Sequence, residues 1–160
     1  MAIKDSGDRT EFATGAVRDL REGKGRCDLM PLGVVAESMN DKIIGHIAHF
    51  QEHGTPFHLY RVLADVGNLP AFNGQPTMFL ETAKHFEEGA KKYGEQNWQN
   101  GIPVKCYIDS AVRHYLKWRR GDNDEPHHRA FVWNIMCAIW TCTNMPELND
   151  YRKEDCDADD

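Results

Sequence analysis

The chain has 160 residues and a formal net charge of −6, long enough to bury a sizeable core and short enough to be one domain, set here at residues 1–150. The acids are unevenly spread: residues 151–160 form an acidic tail, and without it the body is nearly balanced, so duplex nucleic acid is not an expected partner. No apolar run approaches the ~20 residues of a membrane span and no signal peptide opens the chain, which excludes a membrane partner. The five cysteines, Cys27, Cys106, Cys137, Cys142 and Cys156, are odd in number and form no CxxC pair. Cys106 and Cys137 lie within helical patterns as small core residues, and a reducing cytoplasm fits better than a thiolate zinc site.

In chain order, residues 1–28 are polar and rich in Gly, Asp and Arg, and read as an N-terminal arm. Within it, Gly23–Lys24–Gly25–Arg26 offers backbone amides and two cations to a phosphate, although the Walker spacing is absent. Asp28 precedes a helix start at Leu29–Pro31. Leu32–Phe50 is apolar at helical spacing, with a break at Met39–Asp41. Leu59–Val66 forms a second, shorter pattern, and Asn68–Pro76 reads as a connector. Phe79, Ala83, Phe86, Ala90 and Tyr93 mark a helix stopped by Gly94. Ile108, Ala111, Val112, Tyr115 and Leu116 mark another, closed by Gly121. A last helix starts near Asp124–Glu125–Pro126, with Asp124 as its cap, and runs AFVWNIMCAIW with Asn134 as its one strongly polar residue. No segment alternates like a strand. The reading is all-α, a helical bundle of about five helices with the last one central.

The polar groups on the last three helices carry the chemistry. Glu81 and Glu88 lie seven apart on one face, as ligands for a hard cation or as a solvated face with a Glu88–Lys92 pair. Asp109, Arg113, His114 and Lys117 climb a core-forming helix; Arg113 and Lys117 suit phosphate oxygens, and an Asp109–Arg113 surface pair is the alternative. Asp122, Asp124, Glu125, His127 and His128 crowd the next turn. Asn134 either faces a ligand, with Ala130 and Ala138 leaving room, or sets helix register. Trp98 and Trp133 can stack a base or fill the core.

The segments TGAVRDLREGKGRCDLMP, EEGAKKYGEQNW and YIDSAVRHYLKWRRGDNDEPHHRAFVWN resemble the phage and bacterial dATP/dGTP diphosphohydrolase family, MazG-like all-α nucleotide pyrophosphohydrolases. The resemblance spans residues 15–35 and 80–145, with 36–76 as an insertion. It implies removal of pyrophosphate from dGTP or dATP, for phage nucleotide-pool remodelling or synthesis of modified-purine (2-aminoadenine) DNA. It also implies two or more Mg²⁺ or Mn²⁺ ions per site, a homo-oligomer (dimer or tetramer), and the host cytoplasm for a phage-encoded chain. On this reading Asp109, Arg113 and His114 are catalytic, and Glu81, Glu88, Asp109, Asp124 and Glu125 hold metal. Lys24, Arg26, Lys92, Arg113 and Lys117 bind phosphate, and Asn97, Trp98, His127 and Asn134 bind the base. The ExxE and ExxD arrangement that MazG-type enzymes carry on successive helices is absent. Two rival readings are another metal-dependent nucleotide phosphohydrolase, whose His–Asp dipeptide this chain lacks, and a non-enzymatic helical protein-interaction module.

Overall fold

The structure, a computed structural model, describes residues 3–154, so Cys156 and most of the acidic run lie outside the described residues. Six α-helices make up the body: α1 (Leu32–Met39), α2 (Lys42–His53), α3 (Phe57–Gly67), α4 (Gln75–Tyr93), α5 (Val104–Arg120) and α6 (His127–Asn144). The fold is all-α as expected, with one helix more than the sequence pattern suggests. The stretch from Leu32 to Phe50 is two helices, broken at Asn40–Asp41. Asn40 adopts a left-handed conformation (φ 50°), and Asp41 caps α2 by accepting from the Ile43 and Ile44 N–H groups at 3.0 and 3.1 Å. A side-chain cap of this kind is worth ~1 kcal/mol. The other Asp41 oxygen accepts from the Tyr115 hydroxyl, which ties this corner to α5.

The helix α6 is buried on nearly every side, as its almost unbroken apolar run requires. It packs along α5 more extensively than any other pair of elements meet, and also against α4 and α3. Phe131, Ile135, Tyr107, Ile108, Tyr115, Phe50 and Leu59 are effectively inaccessible; each such side chain contributes roughly 1.5–3 kcal/mol by leaving water. Cys106, Cys137 and Cys142 are buried with free thiols. Among the described residues, no helix is long and apolar enough to cross a membrane.

Two expectations are corrected. The arm contains an antiparallel hairpin, β1 (Arg9–Glu11) and β2 (Val17–Asp19), pairing Arg9 with Asp19 and Glu11 with Val17. Strands of three residues are too short for alternation to be read from sequence. Asp124 does not cap α6: Pro126 stands at that position without a side-chain bond, and the Asp124 carboxylate bonds the His127 ring instead. Near the end of the described residues, the chain packs back on the α2–α3 corner. The Tyr151 ring meets Phe50 edge-on at 5.4 Å, and Asn149 Nδ2 donates to the Gly54 carbonyl at 2.9 Å. Gly54 is confined to glycine there, since its φ is 69° and a Cβ would lie 2.1 Å from the Tyr151 oxygen.

Candidate active site between the arm and helices α4, α5 and α6

The arm crosses α4, α5 and α6, held mainly through its backbone. Asn97 accepts from the Val17 N–H at 2.8 Å and donates to its carbonyl at 2.7 Å, pairing with β2 as a further strand would. Thr14 Oγ1 donates to the Gly101 carbonyl. Further along, the Cys27 N–H donates to Asp109 at 2.7 Å, and Arg113 donates to the Gly25 carbonyl at 2.7 Å. Arg113 also donates to Asp109 at 2.6 Å, and Asp109 is fully buried. At the amino end, the Ile3 and Lys4 N–H groups donate to Glu88 and Glu125, each at 3.1 Å.

Beneath the arm lies a cavity of about 520 Å³, within the roughly 300–1,000 Å³ of small-molecule sites. Six cations line it (Lys4, Arg18, Arg21, Lys24, Arg113, Lys117) against three carboxylates (Asp5, Asp19, Glu125), so it favours an anion. Lys117 has no carboxylate within ion-pair distance among the described residues. Arg18 reaches across the cavity to Ser110 Oγ (3.1 Å) and Asn134 Oδ1 (3.0 Å), over the rings of Tyr107 and Trp133 at 5.1 and 5.8 Å. One Arg18 nitrogen, Nη1, is buried and unbonded, as a donor awaiting an acceptor would be. Asn134 is itself satisfied, donating to the Ala130 carbonyl at 2.8 Å. His85, packed against Trp133, is pushed down to about 3 by burial and then by Arg129, so it stays neutral.

A second cavity of about 680 Å³ opens beside the first and has the opposite charge: Glu81, Glu87, Glu88, Asp122 and Glu125 outnumber Lys84 and Arg129. Glu125 lines both cavities. At this seam His114 Nδ1 lies 2.9 Å from His127 Nδ1, with Glu125 Oε1 at 3.7 and 3.6 Å from the two nitrogens. Burial, followed by the neighbouring His127, holds His114 well below the usual imidazole range. The other His127 nitrogen, Nε2, lies 2.7 Å from Asp124. Asp124 is held below the ordinary carboxylate range by its bonds to Lys4 and then His127. Asp122, Asp124 and His127 make a second group of potential ligand atoms, all within 4.8 Å.

The residues singled out from sequence are thus distributed unequally. Lys24, Asn97, Arg113, His114, Lys117 and Asn134 line the cationic cavity, and Glu81, Glu88 and His127 the acidic one. Asp124 stands behind His127. Arg26 forms a two-pronged pair with Asp28 at 2.8 and 2.7 Å. Lys92 donates to the Lys4 carbonyl at 2.9 Å, and Asn97 fastens β2 as described; both anchor the arm. Trp98 packs edge-on to Phe86 and Trp140, at 5.7 and 5.0 Å, outside the wall of either cavity. Arg18 was not anticipated, because its partners lie 92 and 116 residues away and nothing local to Val17–Asp19 marks it.

The family profile described as dATP/dGTP diphosphohydrolase, N-terminal, matches residues 62–151, more than half of the chain. The chain belongs to this family. The matched span holds α4, α5 and α6 entire, and hence the helical walls of both cavities and the His114–Glu125–His127 seam. It begins within α3, so residues 62–76 of the segment expected to be an insertion lie inside it, whereas the arm lies outside. No curated protein and no solved structure matches the chain. Membership in a diphosphohydrolase family makes hydrolysis of a nucleotide anhydride the activity class of this dATP/dGTP diphosphohydrolase relative.

Proposed function

We propose that the chain hydrolyses purine deoxynucleoside triphosphates, dGTP and dATP, to the monophosphate and pyrophosphate, with the nucleotide beneath the arm. One observation carries the reading: His114 and Glu125 belong both to the wall of the cationic cavity and to the cluster of potential metal ligands. A polyphosphate drawn in by Lys117 and the arginines would therefore meet the groups suited to hold a divalent cation.

The donor set fits such a cation. Two ring nitrogens facing each other at 2.9 Å require at least one to be unprotonated, and burial keeps His114 in the neutral form that ligates. Asp124 on the far nitrogen of His127 is the carboxylate–histidine pairing that orients metal-bound imidazoles. Two imidazoles with one carboxylate favour Mn²⁺ over Mg²⁺, which prefers oxygen. Glu81, Glu88 and Asp122, on the acidic side, are the groups available for a second ion. When bound, the ion polarises a phosphoryl oxygen and lowers the pKa of a bound water.

The chain's own residues supply the rest. Lys117, Arg21 and Lys24 neutralise charge gathering on the leaving pyrophosphate. Asp109 holds Arg113 through a buried ion pair and holds the arm through Cys27, and so acts as a positioning residue. Trp133 offers an aromatic face, and the unbonded Arg18 Nη1 a donor to a purine acceptor beside Asn134. The test is a screen of the eight ribo- and deoxynucleoside triphosphates with Mn²⁺ or Mg²⁺, resolving products by chromatography. The expected outcome is dGMP or dAMP plus pyrophosphate, abolished by chelator. Stepwise release of orthophosphate, or turnover indifferent to chelator, would overturn it.

A further inference from the structure

Outside the walls of both cavities, the corner between α2 and α3 gathers imidazoles. His49 and His53 lie four apart on α2, so they rise from one helix face. Between them a single Glu52 oxygen, Oε2, lies 4.0 Å from His49 Nδ1 and 3.8 Å from His53 Nε2. From the first turn of α3, His58 lies against both rings, with centroids 5.6 Å from His49 and 5.5 Å from His53. The three rings are nearly parallel, with interplanar angles of 12°, 26° and 28°. His46, one turn earlier, is engaged by Asp65 at 2.8 Å and stands apart from the group.

We propose that this corner is a binding site for a borderline transition-metal cation of the Zn²⁺, Ni²⁺ or Cu²⁺ class, held by His49, Glu52 and His53, with His58 as the donor from α3. Three arguments support it. Potential ligand atoms of His49, Glu52 and His53 all lie within 4.8 Å of one another, so small side-chain rotations bring them onto one ion. Imidazole with one carboxylate selects these metals over Mg²⁺ or Ca²⁺, which need oxygen shells. Glu52 and His53 also stand in the last turn of α2, where the carbonyl end of the helix favours a cation.

The ligands come from both sides of Gly54, the residue pressed against the Tyr151 and Arg152 backbone. A bound ion therefore links α2 to α3 across their turn and restrains the corner onto which the end of the body docks. The site shares its two imidazoles and one carboxylate with the His114 seam but is exposed where the seam is half-buried to buried, and none of its residues lines either cavity.

The test is a Zn²⁺ titration of the purified chain against a competing chromophoric chelator, comparing wild type with His49→Ala/His53→Ala and with His58→Ala. The double variant is expected to lose one equivalent of bound Zn²⁺, or to bind it more weakly than the roughly 10- to 100-fold cost of losing an outer-shell partner. His58→Ala is expected to weaken the same equivalent. His49, Glu52 and His53 are exposed, so the metal-free variants should melt where wild type does, and Zn²⁺ should raise the melting temperature of wild type more than that of the double variant. Nucleotide turnover should be unchanged. Equal stoichiometry and affinity in wild type and the double variant would overturn the site, and an unaltered affinity in His58→Ala would remove α3 from it.

Discussion

Replacing Asp109 by Asn separates chemistry from architecture. From the sequence, Asp109 is a candidate metal ligand whose loss of charge should lower turnover at least ~10²-fold and leave the melting temperature nearly unchanged or raised. The structure gives it other work: its side chain is 0% exposed, one oxygen accepts from the Cys27 N–H and the other from Arg113, itself only 10% exposed. An amide in that place has one acceptor and one donor. Whichever way it turns, its NH₂ group faces either the Cys27 N–H or the guanidinium, so one contact becomes donor against donor. Leaving a buried donor unsatisfied costs about 1–3 kcal/mol, and removing one partner of a buried ion pair costs about 3–5 kcal/mol. A loss of about 3 kcal/mol is expected, which in a chain of this size lowers the melting temperature by roughly 6–12 °C. Thermal and urea unfolding followed by circular dichroism measures it, with turnover read on the folded fraction. A melting temperature unchanged within error, together with activity reduced more than roughly 100-fold, would refute the positioning role and restore Asp109 to the chemistry.

Asp124→Asn should weaken Mn²⁺ binding roughly 10- to 100-fold by releasing the His127 ring, read by paramagnetic resonance of free Mn²⁺; unchanged affinity would count against His127 as a ligand. Lys117→Ala should lower kcat/KM for dGTP at least about tenfold by removing a charge-assisted phosphate contact, with unfolding curves superimposable on wild type. Arg18→Lys, which keeps the charge but loses the fork between Ser110 and Asn134, should lower discrimination between purine and pyrimidine triphosphates; intact discrimination would exclude Arg18 from base recognition. His85 has a folded-state pKa of about 3, below its unfolded value. The unfolded chain therefore binds the proton first, and stability present above pH ~6.5 falls progressively as the pH drops toward 3. His85→Leu should flatten that part of the urea-midpoint profile, and an unchanged profile would place the titration elsewhere.

Where side chains repeat along a helix, the fold was legible. The stripe from Phe79 to Tyr93 marked α4 as a helix, although Met78, Thr82 and His85 are the residues it buries; the stripe from Ile108 to Leu116 became α5, and the run after Ala130, apolar but for Asn134, became the most buried helix. The break at Met39–Asp41 was visible because Asn and Asp tolerate turns and caps. The hairpin was not, since its strands have three residues each and Asn97, which fastens Val17, lies 80 residues away. The cavity was legible only by half. Arg113, His114, Lys117 and Glu125 announce themselves by crowding, yet the same crowding drew in Asp109 and Lys92, which spend their bonds on holding the arm. Periodicity tells which face a group occupies; it does not tell whether another segment has already taken its hydrogen bonds.

The manner in which the arm is fastened bears on how such a protein can diverge. Its anchors grip main-chain atoms: Asn97 on Val17, Asp109 on Cys27, Arg113 on Gly25, Glu88 and Glu125 on Ile3 and Lys4. Those attachments do not read the identity of the arm's side chains, while Thr10, Phe12, Val17 and Leu20 project toward the cavity. Descendant sequences can therefore exchange these residues and reshape the chamber with little penalty to the placement of the segment that roofs it. Ligand preference can drift along the arm while the helices that carry the His114 seam stay fixed, so close relatives with near-identical α5 and α6 need not share a favoured nucleotide.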